Sequence, residues 1–562
     1  MEATRELKVV IIGGVALGAG AAAKVRRMDE MANIVLIERG PHVSFANCGL
    51  PYYLGGVIAD RNALLLHTPA SLKARFNIDV RTRQEVVTID RARKIVQVRD
   101  LPTGNIYEEA YDKLVLALGA KPLMPPIRGL QLPGVFSVRN VPDVDAIKQW
   151  IDRYDAKRVA VIGAGFIGVE IVENLRDLGL EVTLIEKAPQ ILPPFDMEMT
   201  TRVFEELEQM GVEIILSDGI ATFEGEECAE TVVLESGKAI QADLFILGLG
   251  VRPDVQIAKD AGLELGVAGA LKVNDYLQTS DSDIYSGGDM AEVKYLIDGK
   301  MHWIALAGAA NKQARVIGMN VCGGHVKFRG ALGTSIVKLG KVSIGMTGMS
   351  EKVAKATGIP YFVSYNTTGH HASYYPDAHD LTIKLIVEES TGRVIGGEVV
   401  GQEGVDKRVD VIATAIFGRM TVEDLADLDL AYAPPFSSAK DPVIMAGMAA
   451  EHLYDGTVEA MYGLPADVND WQIIDVRRSS ESSEGMLRGA VNIPLDELRQ
   501  RLSELDPKKP TIVYCRSGQR SYFAYQILKG HGFSQVYNLS GGYLVEMFRE
   551  EQNDKQPQVV AH

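Results

Sequence analysis

The chain has 562 residues, of which 46% are hydrophobic and 23% are charged, and its formal net charge is −16. At roughly 150 residues per domain, this length predicts three or four globular domains, and the composition argues against extensive disorder. The acidic balance excludes the usual basic nucleic-acid-binding protein. The four cysteines are too widely separated for a disulfide framework or a Cys-x-x-Cys pair, which indicates a reducing, cytoplasmic location.

Two segments of the chain share one pattern. Each is a β-branched run followed by glycines, a helix-like stretch and a second apolar run that ends in an acid; they begin at VVIIGGVALG (Val9–Gly18) and VAVIGAGFIG (Val159–Gly168). The apolar stretch Val9–Ala23 has 15 residues and several glycines. A membrane-spanning helix needs about 20 residues. We therefore expect a βαβ unit used twice, and no membrane partner.

The second copy contains a complete G-x-G-x-x-G motif formed by Gly163, Gly165 and Gly168. Such glycines permit a tight turn and the close approach of a pyrophosphate to a helix N-terminus. Glu186, at the end of the next strand, is placed to accept a hydrogen bond from the adenosine ribose and to repel a 2′-phosphate. This favours NADH over NADPH, although the adjacent Lys187 leaves NADPH open.

The first copy departs from this motif at one position. Gly13 and Gly18 match the outer glycines, whereas Val15 replaces the middle glycine and Gly14 beside it would supply the room. Glu38 lies where a ribose contact is expected. The first copy therefore predicts a second dinucleotide site.

Strand-like runs return after each fingerprint, as expected if one dinucleotide domain is inserted into another. We predict an α/β protein with the following domains: a first dinucleotide domain at residues 1–117 and 265–330, a second at 118–264, an α+β domain at 331–450, a linker at 451–466, and an α/β domain at 467–556.

This arrangement resembles the two-dinucleotide flavoprotein disulfide reductases, which pair FAD with NAD(P)H. LALGA (Leu116–Ala120) resembles the return of the chain between the two domains. TSDSDIYSGGDMAE (Thr279–Glu292) resembles the segment whose aspartate contacts the flavin ribityl chain. The resemblance implies FAD binding by Gly13, Gly14, Gly18, Glu38, Gly119 and Asp289, and NADH binding by Gly163, Gly165, Gly168 and Glu186.

A single cysteine, Cys48, lies in SFANCGLPYY (Ser44–Tyr53), where most members of that family carry C-x₄-C. An internal disulfide is excluded at this site, so Cys48 would store oxidation as a mixed disulfide or a persulfide. The S-F-x-x-C pattern, with the downstream α+β domain, resembles coenzyme A-disulfide reductases and their persulfide-reducing relatives. This implies that Cys48 faces the flavin as a thiolate stabilised by backbone amides and by the flavin.

The same resemblance implies coenzyme A binding and a homodimer. YAPPFSSAKDP (Tyr432–Pro442) resembles a segment that the partner subunit contributes, with Tyr432 directed at the substrate sulfur. SYYPDA (Ser373–Ala378) supplies a second tyrosine, for which we favour Tyr374 over Tyr375. These phenols would donate hydrogen bonds to a leaving thiolate, or would only fill an interface. The implied coenzyme A ligands are Lys24, Arg27, Ser44, Asn47, Arg75 and Lys440.

No metal site is predicted. His370, His371 and His379 match no recognised metal-binding spacing, and we expect them in a solvated loop. Cys228 and Cys322 have no recognisable motif around them.

A second reactive cysteine heads CRSGQRS (Cys515–Ser521), between a strand and a helix pattern. Backbone amides of such a turn form an anion-binding nest, which suits a thiolate that carries sulfane sulfur. Only four residues separate Cys515 from Arg520, which argues against a Cys-x₅-Arg phosphatase loop. With DVR (Asp475–Arg477) and GMLRGAVNIP (Gly485–Pro494), the segment resembles rhodanese domains. The implied active-site loop is Cys515, Arg516, Ser517, Gly518, Gln519 and Arg520.

Together these resemblances imply a flavoenzyme that uses NADH to reduce coenzyme A persulfide or polysulfide at Cys48, while Cys515 carries sulfur. Reduction of coenzyme A disulfide, or of O₂ as an NADH oxidase, are alternatives of the same class. A sulfurtransferase whose flavin body serves as a redox sensor is the alternative from a different class. The direction of sulfur transfer between the two cysteines stays open.

Overall fold

The computed structural model describes the backbone of residues 6–555 and the side chains of residues 6–549, so the predicted domain ends at residues 1 and 556 lie outside it. The chain forms two compact units. The first contains the chain up to Leu192 together with Leu207–Gly333, and the second contains Pro193–Glu206 and the chain from Thr334 onward. Within the described chain, every helix is too short or too polar to cross a membrane.

The first dinucleotide fold is built on a parallel sheet. Its elements are β1 (Lys8–Ile12), α1 (Ala16–Met28), β2 (Asn33–Glu38), α2 (Leu50–Leu54), α3 (Pro69–Phe76), β3 (Asp79–Thr82), β4 (Gln84–Asp90), β5 (Ile95–Asp100), β6 (Ile106–Ala110) and β7 (Lys113–Leu116). β1 pairs in parallel with β2 and β7, whereas β4, β5 and β6 form a separate antiparallel sheet. β1 is almost wholly buried, which explains its unbroken apolar run.

The second dinucleotide fold follows. Its elements are β8 (Ala120–Pro122), β9 (Val135–Ser137), α4 (Val141–Tyr154), β10 (Arg158–Ile162), α5 (Phe166–Asp177), β11 (Glu181–Ile185), β12 (Glu213–Ile215), β13 (Ile220–Glu224), β14 (Thr231–Leu234), β15 (Ala239–Gln241), β16 (Leu244–Leu247), β17 (Val251–Pro253) and α7 (Gln256–Asp260). Between β11 and β12 the chain forms α6 (Thr201–Gln209), most of which belongs to the second unit. A sheet in the order β12-β11-β10-β16-β9 forms its centre.

The chain then returns to the first fold. The returning elements are β18 (Ile284–Ser286), β19 (Val293–Lys294), β20 (Met301–His302) and α8 (Ala307–Val321). β18 pairs with β7, which gives the sheet order β18-β7-β1-β2-β3, and α8 packs on α1. Strands that precede the second fold in the chain and one strand that follows it thus belong to the same sheet.

The second unit contains an α+β fold. Its elements are β21 (Ser335–Leu339), β22 (Val342–Gly348), α9 (Glu351–Thr357), β23 (Tyr361–Gly369), β24 (Asp380–Glu388), β25 (Val394–Gly401), α10 (Val405–Gly418), α11 (Val422–Ala426) and α12 (Pro442–Tyr454). The strands form an antiparallel sheet in the order β21-β22-β25-β24-β23, in which β24 and β25 form a hairpin.

The C-terminal α/β fold lies in the same unit. Its elements are β26 (Ala460–Met461), β27 (Gln472–Asp475), α13 (Ser479–Ser482), β28 (Ala490–Asn492), α14 (Leu495–Leu498), β29 (Thr511–Tyr514), α15 (Gln519–Gly530), β30 (Val536–Leu539) and α16 (Gly542–Lys555). Its parallel sheet has the order β26-β30-β29-β27-β28. The predicted fold class, with two dinucleotide folds, an α+β fold and a C-terminal α/β fold, is confirmed.

The prediction that residues 451–466 form a linker is wrong. Helix α12 continues to Tyr454, Val458 is buried in the core of the C-terminal fold, and β26 is a strand of its sheet. The polar residues around Val458 concealed this short apolar anchor in the sequence.

A buried lysine joins Pro193–Glu206 to the sheet of the second unit. The Nζ atom of Lys384, on β24, lies 2.9 Å from Asp196, 2.5 Å from Glu198 and 2.6 Å from Glu351. Burial, together with the charge of Asp196, raises the pKa of Glu398 on β25 well above its usual value. The ammonium group of Lys384 therefore compensates the negative charge of carboxylates that the fold largely removes from water.

We predict that Lys384→Met destabilises the second unit strongly, because it leaves buried carboxylates without their cation. Breaking a buried ion pair costs about 3–5 kcal/mol. The urea midpoint of the holoprotein, followed by far-UV circular dichroism at fixed concentration, should fall clearly. Lys238→Met is the matched control, since it removes an exposed pair with Glu213 worth at most about 1 kcal/mol. Equal losses in the two variants would contradict the assignment.

Candidate functional site

The two glycine turns have the same geometry. Gly13 and Gly163 have φ angles of +97° and +106°, which residues with a side chain rarely adopt. A Cβ on Gly18 would lie 1.8 Å from the Gly13 oxygen, and one on Gly168 would lie 1.9 Å from the Gly163 oxygen. Only glycine therefore allows each helix to begin so close to the preceding strand, which exposes the helix N-terminus to a pyrophosphate.

Each turn is fastened to the acid at the end of the next strand. Glu38 Oε2 accepts a hydrogen bond from Gly14 N at 2.8 Å, and Glu186 Oε2 accepts one from Ala164 N at 2.7 Å. In both cases the second oxygen accepts from the amide two residues later, at 2.6 and 2.8 Å. A carboxylate oxygen has two lone pairs, so either acid can also accept from a ribose hydroxyl.

The surroundings of the turns fit dinucleotides. A Cβ on Gly165 or Gly119 would meet no atom within 4 Å. Burial raises the pKa of Asp289, which lies on the 3-10 helix Gly288–Met290, and only the charge of Arg139 opposes that rise. A desolvated carboxyl group of this kind is stabilised by hydroxyl donors such as those of a ribityl chain.

Cys48 lies on the 3-10 helix Asn47–Gly49, immediately before α2, and its side chain is exposed. Partial loss of water around the sulfur raises the pKa of the thiol, and the charges of Glu170 and Asp289 raise it further. A backbone hydrogen bond acts in the opposite direction. The protein groups together therefore disfavour the thiolate, and its expected stabilisation by backbone amides and the flavin stays a prediction.

Glu170, which lies on α5, is a further titratable group beside Cys48 that no motif marks. Burial raises the pKa of its carboxyl group to about 7, while a hydrogen bond from Tyr52 lowers it and the charge of Glu173 raises it. The Tyr52 hydroxyl lies 3.4 Å from the Glu170 carboxylate. A carboxyl group that titrates near neutrality beside a cysteine can hold or release a proton there. Its only signal in the sequence is its place two residues after Gly168.

The basic residues predicted to bind coenzyme A lie on neighbouring helices of the first fold. Lys24 and Arg27 are on α1, and Arg75 is on α3; Arg27 and Arg75 are exposed. The buried Arg26 joins the ends of these two helices by donating to the Phe76 oxygen at 2.7 Å. The structure therefore gives Arg26 a structural role.

Ser44 and Asn47 lie on the segment between the first glycine turn and Cys48. Ser44 has a φ of +47°, and its amide donates to the Gly14 oxygen at 2.8 Å. Asn47 is exposed next to Cys48. The fold thus brings Ser44, Asn47 and Cys48 to one side of the first dinucleotide turn.

In the second unit the two predicted tyrosines meet. The hydroxyl groups of Tyr374 and Tyr432 lie 3.0 Å apart, and this hydrogen bond raises the pKa of Tyr374. The two side chains are 74% and 48% exposed, and Lys440 is exposed on the same segment as Tyr432. Tyr375 instead packs edge-to-face on His371, and the choice of Tyr374 as the functional tyrosine stays a prediction.

Arg408 connects the two segments that carry these tyrosines. Its side chain is buried, and Nη2 donates to the His370 oxygen at 2.8 Å and to Asp441 Oδ2 at 2.9 Å. Ser437 donates to Asp441 at 2.6 Å and accepts from the Ala372 amide at 3.2 Å. One buried guanidinium thus bridges the two segments that carry the tyrosines, beside the direct contact between Ser437 and Ala372.

The prediction that His370 and His371 lie in a solvated loop is wrong. His370 and His371 are both buried, with ring centroids 4.1 Å apart, and the amide of His379 donates to His370 Nδ1. The rings pack beneath the loop that carries the tyrosine, because imidazole can bury its faces while its nitrogens find backbone partners.

In the C-terminal loop one backbone amide and one hydroxyl group donate to the sulfur of Cys515. Cys515 is buried at the end of β29, and its sulfur accepts from Gly518 N at 3.1 Å and from the Ser521 hydroxyl at 3.6 Å. Gly518 has a φ of +109°, which turns its amide inward. Ser517 precedes it, and Gln519 begins α15. Cys515 belongs to the second unit and Cys48 to the first.

Arg520 closes this loop. It donates to both oxygens of Glu481 at 2.6 and 2.7 Å, which lowers the pKa of Glu481 to about 2. The guanidinium also interacts with Cys515. A cavity of about 500 Å³ lies beside the pair. Its other lining residues are Val476, Arg478, Pro494, Leu495 and Asp496.

Comparison with known families divides the chain in three. Residues 7–314 match the pyridine nucleotide-disulphide oxidoreductase family, residues 334–443 match the dimerisation domain of that family, and residues 459–545 match the rhodanese-like domain. The rhodanese match begins before β26, in agreement with the corrected boundary.

Individual proteins are similar over most of their length. The chain is 36% identical over 439 residues to the NAD(P)H coenzyme A polysulfide/persulfide reductase of Pyrococcus horikoshii, covering 78% of this chain and 97% of the relative. It is also 36% identical over 441 residues to an NADH oxidase of Methanocaldococcus jannaschii, covering 78% and 98%. The crystal structure of reduced Bacillus anthracis CoADR-RHD has a TM-score of 0.94 and 45% identity, covering 97% of this chain and 99% of that chain.

We predict that Glu170→Gln lowers the pKa of the Cys48 thiol, because it removes a negative charge that raises this pKa. In the reduced holoprotein, iodoacetamide should therefore alkylate Cys48 faster at neutral pH. The pH profile of this rate, read by mass spectrometry of the Cys48 peptide, should move to lower pH.

Glu173→Gln provides the control. Glu173 raises the pKa of Glu170, so its removal leaves Glu170 more ionised and cannot lower the pKa of Cys48. A downward shift in the control, or none in Glu170→Gln, would rule out the proposed electrostatic effect.

We predict that Arg408→Lys loosens both tyrosine segments, because an ammonium group cannot reproduce the guanidinium contacts. One charge-assisted hydrogen bond is worth about 1.5–3 kcal/mol. Its loss should therefore accelerate the exchange of backbone amide hydrogens by roughly tenfold or more. Hydrogen–deuterium exchange should show this in residues 369–379 and 432–441. Arg393→Lys, which alters a hairpin pair with Glu388, should leave those segments protected; equal exchange in the two variants would refute the role of Arg408.

Proposed function

Because this chain belongs to the pyridine nucleotide-disulphide oxidoreductase family, we propose that it is an FAD-dependent enzyme that uses NADH to reduce coenzyme A persulfide or polysulfide. One observation carries the proposal: the same chain holds a single exposed cysteine beside Asp289 in the dinucleotide fold and a second cysteine in a rhodanese nest. The similarity to a coenzyme A polysulfide/persulfide reductase supports this choice of substrate.

The cofactor sites follow from the two glycine turns. FAD, when bound, would pass electrons from NADH to the sulfur at Cys48. Its proposed ligands are Gly13, Gly14, Gly18, Glu38, Gly119 and Asp289, and those of NADH are Gly163, Gly165, Gly168 and Glu186. The charge of Lys187 is compensated by Glu235 at 2.7 Å, which leaves Glu186 to disfavour a 2′-phosphate.

The reaction at Cys48 is a thiolate attack. Cys48–S⁻ attacks the inner sulfur of CoA–S–SH, which is the thiol sulfur of coenzyme A itself. The S–S bond of the persulfide breaks, and the terminal sulfur leaves as hydrosulfide. Cys48 and coenzyme A are then joined in a mixed disulfide. Two electrons originating from NADH, with one proton, return it to coenzyme A thiol and the Cys48 thiolate. Glu170 is placed to exchange a proton with this site.

Coenzyme A would be held by the basic residues of the first fold and by the partner subunit. The match to the dimerisation domain and the exposure of Tyr374 and Tyr432 support a homodimer in which these phenols donate to the departing sulfur. The four cysteines are free, which suits a reducing, cytoplasmic location. The proposed coenzyme A ligands are Lys24, Arg27, Ser44, Asn47 and Arg75, with Lys440 of the partner subunit.

A second candidate is an NADH oxidase that reduces O₂ at Cys48, since one relative carries that name. Reduction of coenzyme A disulfide would use the same groups. The rhodanese fold with its intact Cys515 favours sulfane sulfur over both, because a sulfur carrier serves neither alternative.

We predict that Cys48→Ser abolishes NADH oxidation driven by coenzyme A persulfide but spares sulfur transfer to cyanide, because the two cysteines lie in separate folds. Cys515→Ser should abolish transfer and spare the reduction of small persulfides that reach Cys48 directly. Steady-state NADH oxidation with coenzyme A persulfide, polysulfide, coenzyme A disulfide and O₂ would rank the substrates. Cys228→Ser is the matched control and should behave as wild type.

The outcomes separate the candidates. Fastest turnover with O₂ would favour the oxidase, and fastest turnover with coenzyme A disulfide would favour disulfide reduction. Sulfur transfer without any NADH oxidation would favour a sulfurtransferase with a redox-sensing flavin body. Persulfide reduction by Cys48→Ser would show that the proposed nucleophile is wrong.

A further inference from the structure

Both arginines of the rhodanese loop are paired with carboxylates. Arg520 forms the two-point contact with Glu481 described above, within the rhodanese fold. Arg516, which directly follows Cys515, forms an ion pair through Nη1 with Asp380 Oδ2. This second carboxylate comes from outside the rhodanese fold.

The position of Asp380 is fixed by its own fold. It is the first residue of β24 and pairs in register with Gly369 at the end of β23. Its backbone oxygen accepts a hydrogen bond from Arg202 Nη1 at 2.8 Å, and Arg202 is close enough to interact with the charge of Arg516. The carboxylate of Asp380 thus compensates positive charge at the loop that carries Cys515.

The charge at this loop matters because sulfur donors differ in charge. Transfer from thiosulfate brings together Cys515–S⁻ and S–SO₃²⁻, a total of three negative charges. Transfer from a neutral persulfide R–S–SH, whose R group carries no charge, brings together only one. Cationic side chains near the sulfur therefore favour thiosulfate much more than they favour a persulfide.

We propose that Asp380 is a specificity-determining residue of the rhodanese site. Because Asp380 neutralises Arg516, the guanidinium group does not attract dianionic donors. The loop is therefore selective for persulfides of thiols. The inference rests on the proposed function in one respect, namely that Cys515 is the sulfur carrier.

The favoured step balances without a further reactant. Cys515–S⁻ attacks the terminal sulfur of R–S–SH, so that the Cys515 S–S bond forms and the donor S–S bond breaks. The bonding electron pair leaves with R–S⁻, and the proton stays on the transferred sulfur. The products are Cys515–S–SH and a thiolate, with no net oxidation or reduction.

The test compares two donors in the full-length holoenzyme. Thiocyanate formation from cyanide is measured with thiosulfate and with the persulfide of 2-mercaptoethanol, whose R group carries no charge, and the Cys515→Ser rate is subtracted as the background. Releasing one exposed guanidinium from its pair should raise the thiosulfate-to-persulfide ratio of kcat/KM in Asp380→Asn by about fivefold. Asp380→Glu keeps the charge and should return the ratio towards wild type.

Two further variants isolate the effect of Arg516. Arg516→Gln combined with Asp380→Asn should cancel the gain, because no guanidinium is then released. Glu504→Gln removes one of the two carboxylates paired with Arg501, which lies outside the loop, and changes the net charge equally; its ratio should stay at the wild-type value. Added potassium chloride should reduce the gain in Asp380→Asn, since salt screens exposed charges.

The possible results are distinct. An unchanged ratio in Asp380→Asn, an equal rise in Glu504→Gln, or a gain that persists without Arg516 would overturn the role of Asp380 while leaving Cys515 as the carrier. Undiminished transfer from either donor in Cys515→Ser would instead contradict the proposed function itself.

Discussion

The contact between a glycine carbonyl and the first turn of the following helix fixes both dinucleotide folds. At Gly13 and Gly163 this contact leaves no room for a Cβ on the glycine five residues later. The strand, turn and helix are therefore held in one relation, and the acids on β2 and β11 reach the amides of the turn. The middle position differs, because a Cβ on Gly165 meets nothing within 4 Å. A side chain at the middle position of the second copy would therefore meet no protein atom.

Buried cations have a comparable role in the second unit. Lys384 and Arg408 each bind segments that are distant in sequence, and each is surrounded by carboxylates or carbonyl oxygens. Placing a charge out of water is costly, so such a group is stable only when its partners are all in place. The two cations thus favour one arrangement of the Pro193–Glu206 segment and of the two tyrosine segments.

The features that could be predicted from the sequence are local. The glycine fingerprints, the lone Cys48 and the Cys515 loop each occupy a short run in which the spacing itself carries the chemistry. The features that were missed depend on residues far apart in sequence. Asp380 and Arg516 are separated by 136 residues, and nothing near either one marks the pair. The prediction of a linker was wrong for a related reason. Strand β26 has only two residues, and its partner strand, β30, lies much later in the chain.

The two cysteines differ in what activates them. At Cys515 an amide and a hydroxyl already point at the sulfur, so the fold itself provides the groups that stabilise negative charge. At Cys48 the nearest protein charges are the carboxylates Glu170 and Asp289, which oppose a thiolate. In the proposed function, the reactivity of Cys48 then depends on the groups that bind beside it. A nucleophile activated in this way is protected from chance oxidation while its site is empty, whereas Cys515 relies on burial for the same protection.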